Sequence, residues 1–399
     1  MSKQNQSQLE FIILMAALMS IVALSIDAVL PALPNIGNHL NTVSTADNQK
    51  LITMIFLGLG FGQLIFGPLS DSFGRKPMVY GGFGVFIIAS YICLTTKNFE
   101  IMLLGRVLQG VGLSSPRTMC IAIVRDCYSG DYMAKIISIV VMTFILVPVV
   151  APMLGQFLLD HFGWESIFTF NLIFGLFVML WFWLRQKETL KPEFKKPFRL
   201  KIFKNGTIEF LKIKEAVIYT LLSGFITGSF MVYLSTSQQI FQIQYDLAEA
   251  FPYIFASLAI TIGLSTFLNS RLVIKFGMKN IVKTSLWAFF IIPVIYVVLF
   301  WSGINPSIEI LISFLILQFT SVAFLFGNLR ALAMDPMGHI AGIGSALNGF
   351  ISTIMAVPIA NYIGGFVLDS VLPLFVGFLI CGFISVILFY SLKRNSVTA

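Results

Sequence analysis

Long apolar runs, each broken by a short polar or Gly/Pro segment, set the pattern of this 399-residue chain. The runs extend over roughly 18 to 26 residues, and a helix needs about 20 to cross a hydrocarbon core of about 30 Å. The strict apolar–polar alternation of membrane strands is missing, so a barrel is not expected. The pattern predicts an all-α integral membrane protein with twelve transmembrane helices, near 11–34, 49–69, 78–96, 99–124, 132–158, 164–184, 215–240, 251–271, 281–301, 307–333, 340–367 and 371–392.

The composition strengthens this prediction. Hydrophobic residues make up 57% of the chain and charged residues 11%, with a mean hydropathy of +0.89. Soluble domains need polar groups at their surface, and 18 acidic residues beside 40 phenylalanines are too few to provide one. The composition therefore excludes an ordinary soluble protein.

The positive charges fall mostly on alternate connections. If the N-terminus is inside, 22 of the 26 Lys and Arg residues lie on inner segments; Lys50 and Lys97 lie outside, and Arg106 and Arg117 lie within a predicted helix. Since Lys and Arg are retained on the cytoplasmic side, we expect both termini in the cytoplasm. The net charge of +8 follows from this bias, and no nucleic-acid partner is expected.

One long connection, from Arg185 to Lys214, separates six predicted helices from six. It is basic and is interrupted by Pro192 and Pro197. We therefore expect an N-terminal six-helix half at 1–185, a basic cytoplasmic linker at 186–214 and a C-terminal six-helix half at 215–399. The amphipathic Phe and Ile content of the linker suggests that part of it lies along the anionic inner leaflet; a plain tether between two bundles is compatible with the same sequence and sufficient to explain it.

A weak internal repeat supports two related halves. The segment "GPLSDSFGRKPMV" (67–79) corresponds to "SRLVIKFGMKNIV" (270–282) at a constant offset, which aligns Gly74 with Gly277. Such a pair of six-helix halves is a standard transporter architecture, with substrate expected between them near mid-membrane. The sequence carries no catalytic His/Cys/Ser constellation, so an enzyme is not expected.

Two charged residues lie inside predicted helices at similar depth. Asp27, in "SIDAVLPALP" (25–34), lies about sixteen residues along the first helix, and Arg106 lies about seven residues inside the outer end of the fourth. An ionised side chain at the bilayer centre costs about 2.5–3.5 kcal/mol, so such groups face water, a partner or a substrate. Asp27 and Arg106 are therefore candidates to share a cavity.

The segment "GPLSDSFGRKP" predicts a tight turn at the inner face. Gly67 and Gly74 permit close backbone approach or a positive φ, and Asp71 can cap a helix start. Arg75 is held at the inner face by the lipid charge.

These motifs strongly resemble those of the major facilitator superfamily. The turn resembles the family's loop between helices two and three, with Ser72 replacing the usual basic residue. The resemblance implies that the loop stabilises an outward-open state by pairing with neighbouring helix ends, here Arg125 and Asp126. The R-x-x-Q-G pattern at Arg106, which includes Gln109, resembles the family's helix-four motif that is linked to proton transfer.

The fifth predicted helix contains "VPVVAPMLGQ". Its prolines and small residues, at about four-residue spacing, allow helices to approach closely and to bend; they are Pro148, Ala151, Pro152 and Gly155. The segment resembles a relaxed form of the Gly-Pro motif of proton-exchanging exporters in the superfamily. A simple packing interface is the alternative.

The stretches "DAVLPALPNI", "GQLIFGPLSD" and "RVLQGVG" resemble the bacterial Bcr/CflA branch, the bicyclomycin and chloramphenicol-type drug:proton antiporters. Val29 stands where that branch has tyrosine. The resemblance implies the major facilitator fold, a bacterial inner-membrane location, and Asp27 as the residue that couples protons to substrate, with Arg106 beside it. We expect protons as the coupling ion, no cofactor, no metal and a monomer. The chain has no G-x-x-x-x-G-K-[ST] motif, which favours the proton gradient as the energy source.

A substrate cavity is expected to include Asp27, Gln109 and further residues of mixed aromatic and amide character, which suit an amphipathic molecule; they are Tyr233, Gln238, Asn328 and Asn348. Arg117 either lines the inner half of this cavity and attracts an anionic substrate, or pairs with a carbonyl or snorkels inward.

The leading hypothesis is a proton-coupled exporter of amphipathic small molecules or drugs. The alternative is a dedicated exporter of an anionic metabolite, amino acid or siderophore on the same scaffold, which Arg117 and Val29 motivate. A proton-coupled importer is a more distant alternative, and a passive channel or a membrane-bound enzyme comes last.

Overall fold

The computed structural model describes residues 7–195 and 200–395, and in this part the regular structure is helical throughout, which confirms the predicted all-α class. Lys3 and Pro197 lie outside the described residues, as do the side chains of Lys135, Lys393 and Arg394. The α-helices of the described part are α1 (Gln8–Asp27), α2 (Leu33–His39), α3 (Thr45–Phe73), α4 (Arg75–Thr95), α5 (Phe99–Cys127), α6 (Gly130–Phe162), α7 (Glu165–Arg185), α8 (Leu200–Lys212), α9 (Lys214–Gln238), α10 (Phe251–Phe276), α11 (Met278–Leu299), α12 (Ile308–Met334), α13 (Ala341–Gly364) and α14 (Leu372–Asn395).

The predicted set of membrane-spanning helices is confirmed. Within the described residues, 11 stretches are long and apolar enough to cross a membrane, and α6 contributes the shorter apolar stretch Leu146–Phe162. Several helices extend beyond the predicted apolar run; α3, for example, continues to Phe73 where the apolar run ends at residue 69. The length of a hydrophobic run does not predict how far a helix continues into polar residues at its ends.

The first predicted helix, 11–34, is confirmed as a span and lies within Gln8–His39, but it is not α-helical throughout. α1 ends at Asp27, a 3₁₀ turn follows at Leu30–Ala32, and α2 then runs to His39. Pro31 has no backbone N–H to continue the α-helical hydrogen bonds, and Pro34 repeats this constraint at the start of α2. The chain therefore breaks its helix directly after the buried acid.

The linker contains an amphipathic helix, α8. Phe210 is buried on one face, whereas Ile208 and Leu211 are exposed on the other. Within its own unit α8 packs against α9 and α13. Contact of the exposed face with lipid stays a prediction.

The chain divides into two compact units, one of Met1–Asn41 with Met54–Arg199 and the other of Thr42–Thr53 with Leu200–Ala399. In the first unit α1 packs against α5, α6 and α7, and α4 packs against α5. In the second, α9 packs against α12, α13 and α14, and α11 packs against α12 and α14. The predicted boundaries at 185 and 215 stay a prediction.

Candidate functional site

Asp27 is the last residue of α1 and is 4% exposed. Its carboxylate forms no hydrogen bond or ion pair with the described residues. A buried carboxylate without such partners is costly in its charged form. Asp27 is therefore a site where a proton or a ligand changes the local energy strongly.

Arg106 holds the chain on one side of Asp27. Its side chain is 1% exposed, and its Nη1 donates to the carbonyl oxygen of Ser25 at 3.1 Å and to Oε1 of Gln109 at 2.9 Å. Gln109 in turn donates from Nε2 to Oγ of Ser90 at 2.9 Å. These bonds connect α5 to the backbone of α1 two residues before Asp27.

The expectation that Asp27 and Arg106 meet as opposite charges needs correction. Among the described residues no ion pair joins them. α1 ends at Asp27, so the carbonyl of Ser25 is one of the last four of the helix, which have no intrahelical partner. A cation at a helix C-terminus is stabilised by these carbonyls, and Arg106 occupies that position.

On the other side of Asp27, α6 packs closely against the chain at Gly155. A Cβ atom at this position would lie 2.0 Å from the carbonyl oxygen of Ala28 and 2.8 Å from its carbonyl carbon. Only glycine allows α6 to approach the end of α1 this closely. Ala151, one turn earlier, is fully buried, and Pro148 and Pro152 lie within α6. The small-residue pattern of the fifth predicted helix thus lies against the carbonyl group of Ala28, the residue that follows Asp27.

The inner turn forms a charge cluster around Arg75. Arg75 donates from Nη1 to Oδ1 of Asp71 at 2.6 Å and to Oγ of Ser70 at 2.7 Å, and from Nε to Oδ2 of Asp126 at 3.0 Å. The predicted partner Asp126 is therefore in place. Arg125 is exposed and forms no ion pair with any described residue.

The turn itself differs from the prediction in two residues. Gly74 has a φ of +109° and is the single residue between α3 and α4, as expected for a glycine-specific position. Gly67, by contrast, lies inside α3, and a Cβ atom there would meet nothing within 4 Å. Asp71 lies in the last turn of α3, where it binds Arg75 and caps no helix start.

Glu188 supplies the cap that Asp71 does not. Its Oε1 accepts from the backbone N–H of Arg75 at 2.9 Å, and its Oε2 accepts from that of Lys76 at 3.0 Å. A carboxylate at a helix N-terminus satisfies unpaired N–H groups and complements the helix dipole. The next residue, Thr189, donates from Oγ1 to Oδ2 of Asp126 at 2.9 Å. The segment after α7 therefore belongs to the charge cluster, which the sequence did not indicate.

The residues of the second unit that were predicted to line a cavity each make a different local contact. Tyr233 is buried on α9, with its ring centroid 4.6 Å from that of Phe319. Gln238, at the end of α9, donates to Gln242 at 2.9 Å across the start of a π-helical segment, Gln239–Gln244.

The two predicted amides in the second unit bind other helices. Asn328 donates from Nδ2 to Oδ1 of Asn269 at 2.8 Å, which joins α12 to α10. Asn348 donates from Nδ2 to Oγ1 of Thr220 at 2.8 Å, which joins α13 to α9. These bonds stabilise helix packing. In the first unit, Arg117 is half-buried within α5.

Comparisons with known proteins agree with this architecture. The family model described as Major Facilitator Superfamily matches residues 15–360. A bicyclomycin resistance protein homolog of Haemophilus influenzae is 27% identical over 99% of this chain and 98% of its own. A chloramphenicol resistance protein of Pseudomonas aeruginosa is 29% identical over 66% of this chain and 62% of its own. The expected resemblance to this branch is confirmed.

The fold also matches solved transporter structures. The crystal structure of a D-xylose-proton symporter superposes with a TM-score of 0.72 at 13% identity, over 95% of this chain and 97% of that one. At this identity the match shows the two-halves transporter fold alone.

Proposed function

Since the chain belongs to the major facilitator superfamily, we propose that it is a proton-coupled efflux transporter that exports amphipathic small molecules or drugs by alternating access. It is a multi-pass membrane protein, and we place it in the bacterial inner membrane with both termini in the cytoplasm. Protons and the exported molecule are its proposed ligands, and a monomer is the proposed working form.

The observation that carries the proposal is the position of Asp27. A carboxyl group that is 4% exposed and has no bonding partner among the described residues can exchange a proton or a cationic group at little structural cost. The resistance functions in the names of the relatives support export of drug-like molecules as the direction of transport.

Exchange follows if a proton and the substrate exclude each other at Asp27. Protonation neutralises the carboxyl group and removes its attraction for a cationic or hydrogen-bonding substrate, and release of the proton restores that attraction. Arg106 binds the backbone before Asp27, and α6 packs closely against the backbone after it at Gly155. Both contacts restrain the position of the Asp27 carboxyl group during exchange. Moving one charge through 100 mV is worth about 2.3 kcal/mol. This free energy supports roughly a fortyfold gradient of a neutral substrate.

Asp27→Asn tests the proposal. The variant keeps the size of the side chain and removes its titration, so we expect it to fold and to lose efflux driven by a pH gradient in reconstituted vesicles. Asp160→Asn is the matched control, because Asp160 is an exposed carboxylate near the end of α6. Undiminished pH-driven efflux in Asp27→Asn would remove Asp27 from the mechanism.

A dedicated exporter of an anionic molecule is the second candidate. Arg117, half-buried within the inner part of α5, is the residue that favours it. Arg117→Gln would then abolish transport of a carboxylate-bearing substrate and spare transport of a cationic one. Equal effects on both substrates would remove this candidate.

A further inference from the structure

The two turns related by the internal repeat share a backbone conformation. Gly74 separates α3 from α4 with a φ of +109°, and Gly277 separates α10 from α11 with a φ of +77°. Both turns connect consecutive spanning helices at the end where we place the cytoplasm. Their side chains can therefore be compared position by position.

The charges of the two turns differ. In the first turn Arg75 is neutralised by Asp71 and Asp126. In the second turn Ile274 occupies the position of Asp71, and its side chain is 87% exposed. Met278 occupies the position of Arg75. The second turn thus has no counterpart of Asp71, the acid that pairs with Arg75 in the first turn.

The second turn is nevertheless strongly basic. Arg271 and Lys275 precede it on α10, and Lys279 and Lys283 follow it on α11. All of these side chains are exposed, and none forms an ion pair with a described residue. Positive charge retained on the inner side explains the presence of cations here but does not explain the absence of acids.

The four cations lie in ordered stripes. On α10, Phe267, Arg271 and Lys275 recur at four-residue spacing, which places them on one face of the helix. On α11 the order is reversed, with Lys279 and Lys283 followed by Trp287.

Each stripe therefore carries two cations near the turn and one exposed aromatic ring one helical turn deeper. Phe267 is 60% exposed and Trp287 is 38% exposed. The guanidinium carbon of Arg271 lies 4.9 Å from the centroid of the Phe267 ring, so the cation and the ring act together.

We propose that this surface, the α10–α11 basic turn, binds the headgroup of an anionic phospholipid of the cytoplasmic leaflet. These cations, which form no ion pair with a described residue, complement the phosphate charge, and an aromatic ring one turn deeper on each helix is positioned for the glycerol and acyl region of a bound lipid. The inference uses the proposed orientation but does not depend on what the protein transports. The equivalent positions of the first unit carry Leu64, Pro68, Ser72, Lys76, Tyr80 and Gly84, so no such surface exists there.

Trp287 makes the proposal measurable because bromine on a lipid acyl chain quenches a tryptophan in contact with it. The full chain is reconstituted in phosphatidylcholine vesicles that contain increasing fractions of brominated phosphatidylglycerol or, separately, brominated phosphatidylcholine. Trp287→Phe identifies the part of the signal that comes from this tryptophan. We expect phosphatidylglycerol to associate more strongly than phosphatidylcholine, by about fivefold for each cation that engages the headgroup.

Two variants with equal loss of charge separate this surface from a general charge effect. The first changes Arg271, Lys275, Lys279 and Lys283 to Gln, and we expect it to bind both lipids equally at Trp287. The second changes the exposed linker residues Lys187, Lys204, Lys212 and Lys214 to Gln, and we expect it to keep the preference.

Three results would overturn the proposal. One is equal quenching by both lipids in the unmodified protein. Another is a preference that survives in the first variant or disappears in the second. The third is displacement of the lipid by millimolar inorganic phosphate, which would identify a soluble anion as the occupant.

Discussion

Gly155→Ala is a small change that the structure predicts to have a large effect. The new Cβ atom would lie 2.0 Å from the carbonyl oxygen of Ala28, whereas ordinary contact begins at 3.4 Å. The two helices must therefore separate by about 1.4 Å, the difference between these distances. The position of the new Cβ atom is set by the backbone of residue 155, and the carbonyl oxygen belongs to the backbone of Ala28, so a rotamer change cannot relieve the contact.

The cost of this separation appears in stability and in coupling. Overpacking a close helix contact costs about 1–3 kcal/mol, and association of membrane helices depends on such close approach. Since Ala28 follows Asp27 directly, the carboxyl group moves with it. A displacement of about 1 Å in a reacting group can reduce a rate by about a hundredfold.

Two measurements check this prediction. The thermal midpoint of the detergent-purified variant reports the packing cost, and efflux driven by a pH gradient in vesicles reports the coupling. Gly84→Ala is the matched control, because a Cβ atom on that residue of α4 meets nothing within 4 Å. If Gly155→Ala matches Gly84→Ala in both measurements, the close contact does not position Asp27.

Three further predictions concern the polar contacts of the first unit. Arg106→Gln removes a charged donor from the end of α1, and we expect a loss of about 1.5–3 kcal/mol, seen as a lower thermal midpoint; an unchanged midpoint would contradict the bonding described. Glu188→Ala should cost about 0.5–2 kcal/mol and speed amide exchange at the start of α4, whereas Glu193→Ala should not; equal exchange in both would refute the cap. Asp126→Asn should slow transport more than Arg125→Gln does, and the reverse order would show that the charge cluster has no part in turnover.

Much of the fold could be predicted because hydrophobic run length decides what can cross a membrane. The break after Asp27 could not be located in the same way, because Pro31 is compatible with either a kink or a stop. Run length also carries no information about the close approach of α6 to Ala28. The cost of a charge in lipid singles out Asp27 and Arg106, but it does not predict that Arg106 binds the carbonyl oxygen of Ser25 and the side chain of Gln109.

The sequence also gave no indication of the role of Glu188. The residue lies in a polar segment after α7, and the backbone groups that it caps are those of Arg75 and Lys76, far earlier in the chain. A local capping pattern is found only when the acid is a near neighbour of the helix start. The local pattern therefore predicts Asp71, the nearest acid, as the cap, whereas the carboxylate of Asp71 binds the side chain of Arg75.

The hydrogen bond on one side of Asp27 and the close helix contact on the other limit how the backbone around this residue can move. Arg106 binds the carbonyl oxygen of Ser25, and α6 packs closely against Ala28 at Gly155, so the main chain between these two points has little room to move toward α6. If Asp27 gains or loses a proton as proposed, we expect the response to come mainly from rotation of its own side chain. In the proposed mechanism a restrained backbone of this kind would pass the change in charge on to a bound ligand, because the polypeptide around Asp27 could absorb little of it.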